Sequence, residues 1–151
     1  MRRVQLITDG ACLGNPGPGG WACILRYKSR QRELFGSEPA TTNNRMELTA
    51  AVRGLAALRE SCEVEVITDS EYLKNGITQW IGRWKRDHWK TAGKNPVKNR
   101  DLWEELDAQV SRHQARWTWT KGHASHEDNI RADELAARAA RQQSSNVRKE
   151  V

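Results

Sequence analysis

Long apolar runs are missing from this chain, and so are paired cysteines. The apolar stretch in MRRVQLITD is far too short for a signal peptide or a membrane span, and no later one is long enough. A cytoplasmic protein with no membrane partner is expected. Cys12, Cys23 and Cys62 are odd in number and make no C-x-x-C pair, which argues against a zinc site or a disulfide framework and for reduced thiols. A chain of 151 residues does not need such staples, because one domain of this length buries roughly 68–70% of its unfolded surface. Acid is scarce in one place. From Ile81 to Arg100, Asp87 stands alone against Arg83, Lys85, Arg86, Lys90, Lys94, Lys98 and Arg100, so this segment carries the whole formal net charge of +6. A positive field that local points to a polyanionic partner. Gly10 to Gly20, GACLGNPGPGG, contains neither G-x-x-x-x-G-K-[ST] nor G-x-G-x-x-G, so it reads as a wide hairpin turn from which Asn15 could face a ligand. From Gln142 onward the apolar period disappears, which predicts a disordered tail at 142–151 behind a single domain at 1–141.

Two short runs organise the rest. Val4 to Gly10 reads VQLITDG and Val64 to Ser70 reads VEVITDS, each an apolar strand ending in I-T-D. The connection between them is long enough for further strands and a helix, which suits two parallel neighbours. Their carboxyl ends would then bring Asp9 and Asp69 together in the crevice where α/β sheets place their chemistry. Two carboxylates so close repel each other unless a cation lies between them. Trp21 to Tyr27 and Gln31 to Phe35, turned at Lys28 to Arg30, predict an antiparallel meander joined to that pair. Ala115 to Thr120 alternates and predicts a fifth strand.

Helical signals fill the gaps. Thr42, Asn43 or Asn44 can cap a helix whose buried stripe is Leu48, Ala51, Val52, Leu55 and Leu58. Glu47 in that helix stands over Ala50, Ala51 and Gly54, an acid with room above it that needs a partner. Ser70 can cap a second helix, weakened at Gly76, followed by a segment from about Trp80 to Trp89 and a basic loop, TAGKNPVKN, at Thr91 to Asn99. A further amphipathic helix spans Asp101 to His113. Of the seven tryptophans, Trp80, Trp84, Trp89 and Trp103 lie in or beside the basic segment, where indoles among bases suit stacking and phosphate tracking. Trp80 and Trp103 fit a core role equally well. A polar loop, Lys121 to Asn129, carries His123, and Ser125 with Asp128 resembles a capping box for a last helix from Glu127 to about Arg141. There Asp133 stands over Ala136, Ala137 and Ala140, the arrangement seen at Glu47. Four acids, Asp9, Glu47, Asp69 and Asp133, form a hard oxygen set suited to magnesium or manganese. Two such ions about 4 Å apart suit in-line displacement at a phosphodiester.

ITDGACLGNPGPGGW, TTNNRMEL, ITDSEYLKNGITQW, KNPVKNRDLWEELD and WTKGHASHEDNIRADELA resemble, in order, the successive blocks of bacterial type I ribonuclease H. The likeness runs from Val4 to about Arg141. It implies an α/β ribonuclease-H-like fold, with a five-stranded mixed sheet flanked by helices. It also implies an endonuclease that hydrolyses the RNA strand of RNA–DNA hybrids, leaving 5′-phosphate and 3′-hydroxyl ends, and acts as a monomer. By position it makes Asp9, Glu47, Asp69 and Asp133 the metal-binding acids, with the Gly10 backbone nearby. His123 resembles the histidine assisting proton transfer or product release. Asn15, Asn43 and Asn44 match positions in the hybrid's minor groove, where a side-chain amide can pair with a 2′-hydroxyl. Thr42 and Asn99 match a pocket for a DNA-strand phosphate, and Trp80, Trp84, Lys85 and Arg86 match a basic protrusion against the DNA strand. Two positions depart from the pattern. Glu71, in the substrate-binding set, stands where glutamine is common, and its charge is expected to weaken substrate contact or alter metal affinity unless it is turned outward. Ile130 stands where an acid is common, a loss expected to shift metal preference. An integrase- or resolvase-like DNA nuclease and a binding module without activity are the alternatives.

Overall fold

The computed structural model describes residues 1–120 and 127–150, with side chains as far as Asn146. The elements run in the order β1 (Arg2–Cys12), β2 (Gly17–Tyr27), β3 (Arg30–Thr41), α1 (Asn43–Ala56), β4 (Cys62–Thr68), α2 (Glu71–Asn75), α3 (Ile81–Arg86), α4 (Arg100–Ser111), β5 (Gln114–Trp119) and α5 (Glu127–Glu150). One sheet has the order β3-β2-β1-β4-β5. β1, β2 and β3 pair antiparallel as the expected meander, while β1–β4 and β4–β5 are parallel. The two I-T-D runs lie side by side as predicted, with Leu6 opposite Val66 and Ile7 opposite Ile67.

β1 outruns its apolar core because it has a neighbour on each side. β2 continues the ladder past Asp9, through Ala11–Gly20 and Cys12–Gly19. The glycine-rich stretch is therefore mostly strand, and its turn narrows to residues 13–16, closed by Leu13 N–H donating to the Pro18 carbonyl at 2.8 Å. Glycine is needed at Gly10 for a second reason. A Cβ there would lie 2.6 Å from the backbone nitrogen of Glu47, so its absence lets α1 press against the end of β1.

Each face of the sheet is covered by helices. Leu48, Ala51, Val52 and Leu55 of α1 and Leu102, Trp103 and Leu106 of α4 join Val4, Leu6, Val64 and Val66 in the main core. On the other face α5 packs Ala132 near Ile7, Ile24 and Ile67, and Leu135 and Ala136 near Ala22. Its small residues let the helix lie close to the strands, and Arg26–Asp128 and Arg131–Glu33 ion pairs tie its first turns to β2 and β3. His113 closes the main core. Its Nδ1 accepts from the Cys62 N–H at 3.1 Å and its Nε2 lies 3.3 Å from the Leu55 carbonyl, joining α1, β4 and the start of β5.

Two expectations need correction. The chain from Gln142 is helical to Glu150, where disorder was predicted. No glycine or proline interrupts the segment, so each added residue extends a helix already nucleated on the sheet, and Ser37 Oγ donates to Gln143 Oε1 at 2.9 Å. Trp84 and Trp89 do not stand free on the basic surface; both are half-buried against the main core. Where weakening of the helix was expected, at Gly76, the chain makes a wide helical turn over Gly76–Trp80. A Cβ on Gly76 would lie 1.9 Å from Cη2 of Trp103, so the chain passes directly over that buried indole. His123 and Ser125 lie outside the described residues.

Candidate metal and nucleic-acid site

Three acids converge at the carboxyl ends of the parallel strands. Asp9 ends the apolar run of β1, Asp69 follows β4, and Glu47 sits one turn into α1. One carboxylate oxygen from each lies within 4.8 Å of the others. Asp9 and Glu47 are only 3% and 4% exposed, so the charges are crowded in a place water hardly reaches. At Glu47 this crowding disfavours the charged form. Its carboxyl is pushed well above the usual carboxylate range, first by burial, then by the Asp9 and Asp69 charges and a hydrogen bond with Asp9, against a smaller opposing contact from the Gly10 backbone. Gly10 N–H donates to Asp9 Oδ1 at 2.9 Å, and Glu47 Oε2 is buried with no hydrogen-bond partner among the described residues. Oxygen ligands facing one another, one of them left unsatisfied, fit a hard divalent cation.

Backbone contacts hold Asp69 in place. Its carbonyl accepts from Trp119 Nε1 at 3.1 Å, and the flanking Thr68 carbonyl accepts from Thr120 N–H at 2.9 Å. Lys74 Nζ lies 4.8 Å from the centre of the Trp119 ring. Asp133 is not in the three-acid group: it is exposed on α5. The buried stripe of that helix is Ala132, Leu135, Ala136, Ala139 and Ala140, and Asp133 is turned about 100° from Ala132, at its edge. Glu47 sits inside the stripe of its helix, so the two acids over small residues differ in depth.

The remaining predicted residues lie in two groups, at the start of α1 and around the segment that leads into α4. Thr42 is the cap of α1, its Oγ1 accepting from Arg45 N–H at 3.2 Å. Asn43 and Asn44 are exposed in the first turn, and Asn15 Oδ1 reaches across from the turn after β1 to accept from Asn43 N–H at 2.9 Å. This brings the three asparagines to one rim. Asn99, at φ 62°, precedes α4 without spending its side chain on a cap. Its Nδ2 donates to Tyr72 Oη at 3.1 Å and its Oδ1 accepts from Arg45 Nη1 at 3.3 Å. Tyr72, Trp80, Trp84 and Trp103 form a ring of aromatic contacts with centroids 5.4 to 6.0 Å apart. Lys85 pairs with Asp107 at 3.2 Å, whereas Arg86 is exposed. Glu71 is exposed in the first turn of α2 and Ile130 is 45% exposed on α5. Sequence reasoning missed Arg45, Tyr72 and Trp119. Arg45 and Tyr72 stand within the blocks quoted above, but the contacts that give them a role cross between elements.

The RNase H family model matches residues 1–141. A ribonuclease H of Solibacter usitatus is 70% identical over 144 residues, spanning 95% of this chain and 99% of the relative. One of Neisseria gonorrhoeae is 62% identical over 139 residues, spanning 92% and 96%. Among solved structures, LC9-RNase H1, described as a type 1 RNase H with the type 2 active-site motif, superposes with a TM-score of 0.83 at 35% identity, covering 94% of this chain and 74% of that one. LC11-RNase H1, solved in complex with RNA/DNA hybrid, shares the fold at a TM-score of 0.71 and 23% identity, over 92% and 97% of the two chains. A five-stranded mixed sheet with acids gathered at its parallel strand ends defines a nuclease-type α/β protein. The chain belongs to the RNase H family.

Proposed function

We propose that this protein is an endoribonuclease that hydrolyses the RNA strand of RNA–DNA hybrids, leaving 5′-phosphate and 3′-hydroxyl ends. The observation that carries this reading is the convergence of one carboxylate oxygen each of Asp9, Glu47 and Asp69 within 4.8 Å, in a chain whose net positive charge is concentrated in Ile81 to Arg100. Asp9, Glu47 and Asp69 would hold magnesium, or manganese, as two ions with substrate bound, with Asp133 at the rim and the Gly10 backbone beside them. Bound there, the ions would stabilise the attacking water and the leaving oxygen of the phosphodiester.

The chain's own residues supply the rest. Asn15, Asn43 and Asn44 offer amides that can donate to and accept from a 2′-hydroxyl, which distinguishes RNA from DNA. Thr42 and Asn99 would hold a phosphate of the DNA strand, while Lys85, Arg86, Trp80 and Trp84 would carry that strand across the protrusion. His123 would move a proton or help the product leave. A monomer suffices, since every proposed residue comes from one chain.

The test compares labelled RNA–DNA hybrid, duplex RNA and duplex DNA with magnesium, and then with EDTA. Magnesium-dependent cutting of the hybrid's RNA strand alone is expected. Cutting of duplex DNA would instead indicate a DNA nuclease of the same fold, and binding without cutting a nucleic-acid-binding module.

A further inference from the structure

We infer that Tyr72 is a positioning residue for the nucleic-acid substrate: with Arg45 it fixes the Asn99 amide so that an N–H, not the carbonyl, faces a phosphate. This rests on the reading of Asn99 as a DNA-strand phosphate contact. A free asparagine amide can turn over and exchange its oxygen for its nitrogen, and a phosphate accepts only from the nitrogen. Arg45 settles which end is which. Its guanidinium can only donate, so the Asn99 oxygen must face Nη1 at 3.3 Å. Arg45 is itself anchored by Asp101, whose two carboxylate oxygens receive Nη1 at 3.0 Å and Nη2 at 2.7 Å.

Tyr72 completes the arrangement from the other side. Trp103 Nε1 and Asn99 Nδ2 are both donors, at 3.0 and 3.1 Å from Tyr72 Oη, so the hydroxyl oxygen accepts twice. The indole of Trp103 is fully buried, packed among the residues of the main core. One of the two Asn99 N–H groups is thereby used, and the second is left over. The Tyr72 hydroxyl proton is also left over, with no acceptor among the described residues. The network runs Asp101 to Arg45 to Asn99 to Tyr72 to Trp103, joining α1, α2 and α4, and on the Tyr72 side of Asn99 the groups left over are donors. A flipped Asn99 would set its N–H groups against Arg45 and its oxygen against phosphate, losing on both sides.

The experiment is steady-state cleavage of an RNA–DNA hybrid of defined sequence by wild type, Tyr72→Phe, Asn99→Ala and the double variant, with thermal denaturation as the folding control. Tyr72→Phe keeps the ring and removes the acceptor. It is expected to raise KM about three- to tenfold, the size of one hydrogen bond, while kcat stays within about twofold. Asn99→Ala should raise KM at least as much, and Tyr72→Phe should add nothing in that background. Some stability is lost on either reading, because Trp103 Nε1 also loses its acceptor; a residue that only supports the fold would act equally in both backgrounds. Asn99→Asp serves as a second probe because it leaves Tyr72 intact: it replaces the outward donor by an acceptor and should raise KM beyond Asn99→Ala. The inference is overturned if Tyr72→Phe lowers kcat instead, if its KM effect persists undiminished beside Asn99→Ala, or if Asn99→Asp keeps the wild-type KM. If Tyr72→Phe leaves KM unchanged while Asn99→Ala raises it, the positioning role alone falls. If Asn99→Ala leaves KM unchanged, the phosphate contact falls and takes this inference with it.

Discussion

At Glu47 folding and chemistry pull in opposite directions. Glu47 is 4% exposed and faces two more acids, so burial and their charges disfavour its ionised form and raise its pKa well above the usual carboxylate range. Removing one of the neighbouring charges should therefore relieve the fold while destroying the site. Asp9→Asn is expected to raise the thermal midpoint in EDTA, to reduce cleavage to background, and to leave hybrid binding largely intact, since the distant basic segment supplies most of the affinity. Magnesium should raise the midpoint of the wild type and not that of the variant. Scanning both proteins with and without metal checks this, and equal losses of binding and activity would contradict it. His113 makes the opposite case, a titratable group used for structure alone. Burial is the main cause holding its pKa below the ordinary value, with Arg112 adding to it and the Leu55 carbonyl opposing. The folded state thus prefers the neutral ring. Its stabilising contribution is complete above about pH 6.5, the unfolded value, and shrinks as the pH falls toward the lower folded value. His113→Leu should cost about 1–3 kcal/mol at pH 7, with the gap to wild type narrowing below pH 6.5 in urea titrations. Asp9, Asp69 and Glu47 were readable from strand ends and a helix stripe. Glu47 lies inside its stripe and Asp133 at the edge of its own, a difference in depth that the same spacing of small residues does not record. Tyr72 and Arg45 acquire their roles through hydrogen bonds to a residue 27 and 54 positions away, which no local pattern records.

Elements followed the sequence where one apolar period decides them and departed where a neighbour does. The two I-T-D strands and α1 are of the first kind. The stretch from Gly10 to Gly20 is of the second: glycine and proline suggest a turn, yet β1 and β2 pair through most of it because α1 presses on it and a side chain at Gly10 would clash. The protrusion also resists a local reading. Its tryptophans are amphipathic in role, with Trp103 fully buried, and Trp84 and Trp89 leaning on the core from a surface that carries the bases. α5 shows the reverse error, since a segment without an apolar period continues as helix once the preceding turns are fixed. That continuation adds little to the fold. Residues 141–146 are exposed or half-buried, and Gln143 makes one hydrogen bond to Ser37. Deleting residues 142–151 is therefore expected to cost about 1 kcal/mol or less and to preserve hybrid cleavage. Denaturant titration and an activity assay of the shortened chain check this, and a chain that no longer folds would place the tail inside the domain.

Over the whole molecule, acids and bases are separated in space by function. Three acids converge near the carboxyl ends of β1 and β4, with Asp9 and Glu47 buried and Asp69 half-buried. The bases that matter lie on one side segment, and the fold has already decided which are available. Lys85 is tied to Asp107 and Arg100 to Glu104, whereas Arg83, Arg86, Lys90, Lys94 and Lys98 are exposed without an ion pair among the described residues. Charge counting from sequence could not make that distinction, because both pairs depend on where α4 comes to lie or how it turns. Five available bases set the scale of the electrostatic response. If all five meet phosphates, the logarithm of the hybrid association constant should fall against the logarithm of salt concentration with a slope of about −4 to −5. Replacing Lys90, Lys94 and Lys98 together by glutamine should flatten the slope to about −2, with cleavage at saturating hybrid nearly unchanged, because the acids that perform the chemistry are elsewhere. Replacing Lys85 alone should change the slope by less than one, as its charge is shared with Asp107. Binding isotherms at several salt concentrations, measured in EDTA so that no strand is cut, give these slopes directly. A flat response in the wild type, or a slope that Lys85→Gln reduces as much as the triple variant does, would show that the polyanion is held somewhere other than this segment.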